Sequence, residues 1–212
     1  MSAVELSERD LCAALRGGDE AAFVRLVELH HAPLRRLALS YVRSAAVADE
    51  VVQETWLAVV RSIQTFEGRS SLKTWIYRIL TNTAKTRAER ESRTVPLSAL
   101  SSGDPDEDEP AVDPSRFFDQ QHARWPGHWA SPPSRWQELP EEQLSGRETI
   151  DALKAAIEQL PSQQRQVIVL RDIEGWEAGE VCQLLELSEV NQRVLLHRAR
   201  SRVRQALEDV IG

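Results

Sequence analysis

Two segments of the chain concentrate basic side chains at spacings that suit binding to a nucleic-acid backbone. Residues 193–204 contain five arginines and no acid, and residues 69–93 contain seven basic side chains against two glutamates. Guanidinium and ammonium groups bind phosphate oxygens, and arginine also hydrogen-bonds to base edges in the major groove. The chemistry predicted for both segments is therefore the binding of a polyanion.

The C-terminal basic segment must be presented by a long helix that ends near residue 209. Winding this helix at roughly 100° per residue separates an apolar side from a polar side. The apolar side carries Leu196, Ala199, Val203, Ala206 and Leu207, with Leu195 at its edge. The polar side carries Arg193, Val194, His197, Arg198, Ser201 and Arg204. This mixture suits phosphates and base edges, but a solvated cationic helix face explains it equally well.

A shorter helix is predicted over about residues 177–185, just before the long one. Ser188 lies in the turn between them and is a favourable N-cap for the second helix. Two helices joined by a short turn form the helix-turn-helix arrangement that places its second helix in the major groove.

The N-terminal basic segment is also predicted to form a helix with an apolar and a polar side, over about residues 71–90. Its inner stripe is predicted to contain Leu72, Ile76, Ile79, Leu80 and Thr83. Its outer face is predicted to contain Thr74, Arg78, Asn82 and Lys85, with Trp75 at the border. The preceding loop, residues 66–71, supplies hydroxyls, backbone donors and an arginine, which could bind an unstacked nucleotide and its phosphate. For Trp75, a packing role is favoured over base stacking.

The elements that position these residues are helices throughout. Apolar residues recur at spacings of three and four over residues 4–93 and again after residue 146, and no alternating strand pattern is present. The first helix is expected to end at Gly17-Gly18, and Asp19 is expected to cap the second. Pro33 is expected to interrupt or restart that second helix, and a third helix is expected over about residues 46–62.

The middle of the chain, residues 95–145, breaks the helical pattern. It contains ten acids against three arginines, together with most of the chain's prolines. The predicted fold is therefore all-α, with two small helical domains, residues 1–94 and 146–212, joined by a long irregular acidic linker. Because the net charge of −7 resides in that linker, the acidic total does not exclude a nucleic-acid partner.

Other function classes find no support in the sequence. It lacks a phosphate-binding G-x-x-x-x-G-K-[ST] loop and a G-x-S-x-G nucleophile, and its two cysteines and five histidines form no metal-ligand pattern. We expect no catalytic activity, no cofactor and no metal. No apolar run approaches about 18 residues, and no basic-then-apolar leader opens the chain. A cytoplasmic protein without membrane insertion is expected.

Three motifs resemble those of one known family. Residues 66–84 (FEGRSSLKTWIYRILTNTA) resemble the promoter-melting region of the extracytoplasmic-function sigma factors of bacterial RNA polymerase. Residues 48–57 (ADEVVQETWL) resemble the helix by which these factors bind the polymerase. Residues 160–165 (LPSQQR), 170–172 and 175–176, followed by the helix pair, resemble their domain for the upstream promoter element.

The resemblance implies roles that charge counting alone could not assign. It implies that the melted non-template strand of the minus-ten element is bound by Arg69, Ser70, Ser71, Lys73, Arg78, Asn82 and Lys85. It implies that the duplex minus-thirty-five element is bound by Arg193, Val194, His197, Arg198 and Ser201, and core RNA polymerase by Asp49, Glu50, Gln53 and Glu54. The implied partners are core RNA polymerase, promoter DNA and an anti-sigma protein.

Two other functions remain open from the residues themselves. A free-standing helix-turn-helix transcriptional regulator would bind duplex tightly without polymerase, and a polymerase-binding adaptor would never contact DNA. The linker adds a separate hypothesis, since its run of acids, residues 104–109, could mimic RNA phosphates inside polymerase. Its aromatic residues, including Phe117, Trp125 and Trp136, could pack on polymerase, on an anti-sigma protein or on the chain's own domains.

Overall fold

A computed structural model describes residues 8–94 and 147–211 of the chain. The predicted linker, with its acidic run and its aromatic residues, lies outside these ranges. Within them every regular element is helical, which confirms the all-α prediction. The elements are α1 (Glu8–Arg16), α2 (Glu20–Leu39), α3 (Ala45–Ser62), a 3₁₀ turn (Ile63–Thr65), α4 (Leu72–Thr94), α5 (Arg147–Glu158), α6 (Ser162–Ile168), a π-helical turn (Val169–Ile173), α7 (Ala178–Leu185) and α8 (Glu189–Ile211).

The N-terminal half has its core where α2, α3 and α4 pack side by side. The fully buried side chains recur at spacings of three and four on each helix, which is why these segments fold as helices and pack. They include Leu34, Leu37, Val52, Ile76 and Leu80. Helix α1 covers one end of this bundle and is separated from α2 by Gly18, whose φ of 78° suits glycine.

The prediction that Pro33 interrupts the second helix is wrong, because α2 runs unbroken from Glu20 to Leu39. Pro33 leaves the carbonyl of Leu29 without its helical donor. Leu29 lies on the exposed side of α2, where water can bind that carbonyl. Leu26 before the proline and Leu34 and Leu37 after it are buried, so packing anchors the helix on both sides of the defect.

The C-terminal half packs α5 and α6 against the long helix α8. Its core includes Leu160, Val167, Leu170, Leu196 and Ala199. A capping box formed by Glu177 and Glu180 begins α7, and Glu186 ends it with a left-handed φ of 60°. Ser188 accepts a hydrogen bond from the amide of Asn191 at 3.2 Å, which confirms its predicted role as the cap of α8.

The two halves also pack against each other, a question that the sequence left open. Helix α4 contacts α7, and α2 contacts the π-helical turn. Among the residues described, no helix combines the length and apolarity needed to cross a membrane.

Asp19 caps α2, as predicted. Its carboxylate accepts hydrogen bonds from the amides of Ala21 at 2.9 Å and Ala22 at 3.1 Å. Asp19→Ala should lower the free energy of unfolding by about 1 kcal/mol, because it leaves these amides without a partner in the fold. Urea titration followed by circular dichroism measures the loss. Asp19→Asn, which can still accept, should retain most of the stability, and an equal loss in both variants would contradict the capping role.

Candidate nucleic-acid interface

The exposed face of α4 carries a line of polar side chains. At 3.6 residues per turn, Arg78, Asn82 and Lys85 fall within about 60° of one another, and Ser71 lies in line with them just before the helix begins. Arg78, Asn82 and Lys85 are exposed. The line from Ser71 to Lys85 is about 21 Å long, at 1.5 Å per residue. Its length suits a strand of several nucleotides, and we call these four residues the α4 polar line.

The predicted minus-ten residues therefore do not converge on a single pocket. Ser70 and Ser71 line a pocket of about 570 Å³ between α1 and the loop of residues 66–71. Asn82 lines a separate cleft of about 320 Å³ farther along α4, together with Glu54 of α3. Both volumes lie in the range of small-ligand pockets, roughly 300–1,000 Å³. The geometry can hold two parts of a strand at once.

The loop of residues 66–71 is held by contacts among its own residues and with Trp75 of α4. Phe66 is buried and packs on Trp75 with ring centroids 4.9 Å apart, so Trp75 packs within the fold. Gly68 adopts a φ of 72°, which favours glycine at the turn. Arg69 is highly exposed and donates to Glu67 at 2.6 Å, an exposed pair that holds the guanidinium weakly.

Ser71 serves as the cap of α4 in addition to its predicted role. Its hydroxyl accepts from the amide of Thr74 at 3.1 Å and shares a 2.8 Å hydrogen bond with the Thr74 hydroxyl. The prediction that Thr74 lies on the outer face is wrong, since only 3% of it is exposed. The hydroxyl can be buried because Ser71 satisfies its hydrogen bonding.

Helix α1 supports the loop, which sequence reasoning did not predict. The Glu8 carboxylate accepts from the Leu72 amide, Arg16 donates to the Phe66 carbonyl, and Gln64 donates to the Arg16 carbonyl at 2.7 Å. Arg9 and Arg16 also line the 570 Å³ pocket. Glu8 and Leu72 are 64 residues apart in sequence, so no local pattern could have revealed the contact.

Lys73 lies away from the α4 polar line, about 140° around the helix from Arg78. Its ammonium lies over the Trp176 ring of the C-terminal half, 4.0 Å from the ring centroid. Arg78 donates to the Gln183 carbonyl of α7 at 3.3 Å. Two of the seven predicted minus-ten residues are thus in contact with the C-terminal half.

The four residues predicted to bind polymerase lie on α3 and fall into two pairs. Asp49 accepts from Arg35 at 2.5 Å, and Glu50 accepts from Arg87 of α4. Gln53 and Glu54 are exposed.

The same face of α3 continues beyond those four residues into exposed apolar side chains that sequence reasoning missed. Leu57 and Val60 follow Gln53 at spacings of four and seven and are more than half exposed. Exposed apolar groups among charges are typical of a protein-binding surface.

The five residues predicted to bind duplex lie on α8 and differ in exposure. Arg193, Val194 and His197 are exposed, whereas Arg198 and Ser201 are half-buried. Arg193 forms an exposed pair with Glu189 at 3.0 Å. The prediction omitted Val190, which is 70% exposed and lies one turn before Val194. A partner bound to this face of α8 would contact Val190.

Arg200, another arginine of the basic segment, forms an ion pair with the C-terminal half itself. It donates to both carboxylate oxygens of Asp172, at 2.7 and 2.8 Å. The hydrogen bonds to Asp172 raise the pKa of Arg200. This bidentate pair joins α8 to the π-helical turn, and it separates Arg200 from the arginines that face outward.

His30 of α2 lies close to charged groups of both halves, Lys73 and Glu174. Its ring meets Tyr77 edge-on with centroids 6.0 Å apart. Burial lowers the pKa of His30 and the nearby Lys73 lowers it further, while Glu174 of the C-terminal half acts in the opposite direction. Above the ordinary value of 6.5, His30 is neutral in both folded and unfolded chains. As the pH falls below 6.5, the unfolded chain takes up a proton that the folded His30 resists, so stability must fall.

His30→Gln should therefore flatten the pH dependence of stability. In the unsubstituted chain the free energy of unfolding should decline as the pH falls below 6.5, and in His30→Gln that decline should be shallower. Urea titrations at a series of pH values measure both slopes. His31→Gln, at the exposed neighbouring position, is the matched control and should keep the original slope. Equal slopes in the His30→Gln and unsubstituted chains would contradict this account.

Two families of known sequences match the chain. Residues 26–94 match Sigma-70 region 2, and residues 150–203 match Sigma-70 region 4. The chain is 28% identical over 204 residues to the RNA polymerase sigma-H factor of Pseudomonas aeruginosa, covering 96% of this chain and 95% of that one. It is 27% identical over 209 residues to the ECF RNA polymerase sigma-E factor of Haemophilus influenzae, covering 99% and 100% of the two chains.

A solved structure has a similar fold. The sigma factor RpoE of Bartonella quintana, determined in complex with the anti-sigma factor NepR, superposes with a TM-score of 0.57. The match covers 88% of this chain and 96% of that one at 20% sequence identity. At this identity the likeness bears on the fold alone.

Proposed function

The chain belongs to the extracytoplasmic-function sigma factors of the sigma-70 family, and on that premise we propose how its parts act in transcription initiation. As a sigma factor it binds core RNA polymerase and directs it to promoters. We assign minus-ten binding and polymerase binding to residues 1–94, and minus-thirty-five binding to residues 146–212. RNA synthesis remains with the polymerase, in the cytoplasm where that enzyme acts.

The α4 polar line is the observation that carries the minus-ten assignment. It provides exposed arginine, asparagine and lysine side chains over about 21 Å beside a loop with its own pocket. Unstacking a base costs a few kcal/mol, which a pocket can offset by hydrogen bonding and stacking. Ser70, Ser71 and Arg69 bind one captured nucleotide, and Asn82 binds a second site on the same strand. Arg78 and Lys85 bind the phosphates between and beyond them.

Helix α8 binds the minus-thirty-five duplex through its outward face. Arg193 and Arg198 bind phosphates or guanine edges, and His197 and Ser201 supply shorter polar contacts. Val194 offers an apolar surface to a thymine methyl group. Gln53 and Glu54, with the apolar residues that follow them, form the polymerase-binding face of α3.

An anti-sigma protein is a further proposed partner. The Bartonella quintana RpoE structure contains such a protein bound to a chain of the same fold. An anti-sigma protein bound to this chain would control its access to core polymerase.

Run-off transcription with purified core polymerase tests the function as a whole. Adding the chain should produce transcripts from start sites that core enzyme alone does not use. A free-standing helix-turn-helix regulator would bind duplex without creating such starts, and an adaptor without DNA contact would leave start-site choice unchanged. Absence of new start sites on a genomic template library would contradict the function.

Asn82→Ala should impair promoter opening more than closed-complex formation. Because a side chain that hydrogen-bonds well to a base contributes roughly 1–3 kcal/mol, we expect about a tenfold loss in open complexes. Permanganate reactivity of minus-ten thymines reports opening, and mobility shift at low temperature reports closed complexes. Gln205→Ala, which removes an exposed amide side chain from α8 outside the assigned DNA-binding set, is the control and should have little effect. An equal loss of closed and open complexes in Asn82→Ala would contradict a role for Asn82 in promoter opening.

Arg198→Ala should weaken duplex binding and make it less dependent on salt. Each phosphate contact contributes about 0.9 to the slope of log affinity against log salt, so the slope should fall by about 1. Holoenzyme binding to a promoter duplex at several salt concentrations measures it. Arg200→Ala removes the same charge from the same helix, but Asp172 already binds that arginine. The salt slope of Arg200→Ala should stay closer to that of the unsubstituted chain. A larger change in slope for Arg200→Ala than for Arg198→Ala would contradict the assignment of DNA-binding residues on α8.

A further inference from the structure

Helix α8 exposes two valines on the face that points away from the core. Of the large apolar side chains in the described residues, Val190 is the most exposed, at 70%, and Val194, one turn later, is 42% exposed. Side chains four residues apart on a helix are neighbours, with Cβ atoms about 5–6 Å apart. Val190 and Val194 therefore form a small continuous apolar surface, which we call the α8 valine pair.

The α8 valine pair lies in the middle of the outward face. At about 100° per residue, Val190 and Val194 fall within about 60° of His197 and Ser201, which continue the same line. The buried side of the helix lies opposite and contains Gln192, Leu196, Ala199 and Val203. A partner that docks on the outward face would therefore meet the two valines at the centre of its contact with the first turns of α8.

Arginines flank the valine pair on both sides. Arg193 lies about 60° from Val190 in one direction and Arg198 about 40° from Val194 in the other, so the two arginines leave the helix about 140° apart. Glu189, which pairs with Arg193 at 3.0 Å, lies on the Arg193 side, about 100° from Val190. A major groove has the matching pattern, with phosphates along both walls and base edges between them. The charge pattern therefore favours duplex DNA as the partner of this face.

Valine discriminates between bases because it forms no side-chain hydrogen bonds. Placed against a donor or acceptor of a base, it would leave that group without a partner. Of the groups that the four bases present in the major groove, only the C5-methyl group of thymine is apolar. In helix-turn-helix proteins the N-terminal residues of the second helix contact base edges, and both valines lie in the first two turns of α8.

We propose that Val190 and Val194 determine specificity by each contacting one thymine methyl group, so that the minus-thirty-five element of this chain contains two thymines one or two base pairs apart. The spacing follows from about 5–6 Å between the valines and about 3.4 Å between stacked base pairs. The proposal rests on the proposed function, since it requires that α8 binds the minus-thirty-five duplex. Arg193 and Arg198 supply affinity through phosphates, and the α8 valine pair supplies the choice of base.

Deoxyuridine tests the methyl contacts directly, because it pairs with adenine as thymidine does and lacks only the methyl group. Holoenzyme assembled from core polymerase and the full-length chain would first select duplexes from a library randomised across the minus-thirty-five element. The selected duplexes should share two thymines one or two base pairs apart. Replacing either one with deoxyuridine should weaken holoenzyme binding about fourfold, and replacing both roughly fifteenfold. Selected elements without such thymines, or binding unchanged by deoxyuridine, would overturn the proposal.

Truncation of each valine should remove the methyl dependence at one position. Val190→Ala loses both γ-methyl groups at an exposed position, so deoxyuridine at one of the two sites should have no further effect, while the effect of about fourfold at the other site remains. Val194→Ala should show the converse. Val24→Ala, the same truncation at an exposed valine of α2, is the matched control and should keep both effects. Undiminished effects at both sites in both α8 variants would overturn the proposal.

The same variants distinguish a base contact from a protein contact. Assembly of Val190→Ala and Val194→Ala with core polymerase, measured without DNA, should match that of the unsubstituted chain. Weaker assembly with both deoxyuridine effects intact would place the α8 valine pair in a protein interface and contradict the proposal. Run-off transcription would still show new start sites in that case, so failure of this proposal is distinct from failure of the proposed function.

Discussion

Three sides of helix α4 make different contacts, and the positions of the other helices depend on how those sides are oriented. One side is buried against α2 and α3 through Ile76 and Leu80. A second side carries the α4 polar line. A third side, with Lys73 and Tyr77, receives the C-terminal half. Because a helix fixes these directions at 3.6 residues per turn, burial of the first side determines where the other two face.

Helix periodicity was sufficient to predict most of the fold. Asp19 and Ser188 were recognisable as caps because a cap needs only its own neighbourhood. Pro33 misled the prediction because its local defect is outweighed by the burial of Leu34 and Leu37, which is a tertiary effect. Local signals therefore predict where helices begin and end, and fail where packing opposes them.

The candidate site was less predictable, for the same physical reason. Composition and spacing identified Arg78, Asn82 and Lys85 as exposed polar residues of α4. They could not show that Lys73 lies against Trp176, or that Glu8 supports the loop before α4, since these contacts join distant parts of the chain. Nor could charge counting show that Arg200 pairs with a carboxylate, because its partner Asp172 is 28 residues away. The assignment of any of these residues to DNA stays a prediction.

Cross-linking from a single DNA base tests most directly the claim that α4 binds the melted strand. An open complex would be assembled from core polymerase, the full-length chain and a promoter with 5-iodouracil in the non-template minus-ten element, then irradiated and digested. If α4 binds the melted strand, the cross-linked peptide should come from residues 66–85. A cross-link confined to polymerase subunits, or one that maps to α8, would contradict it.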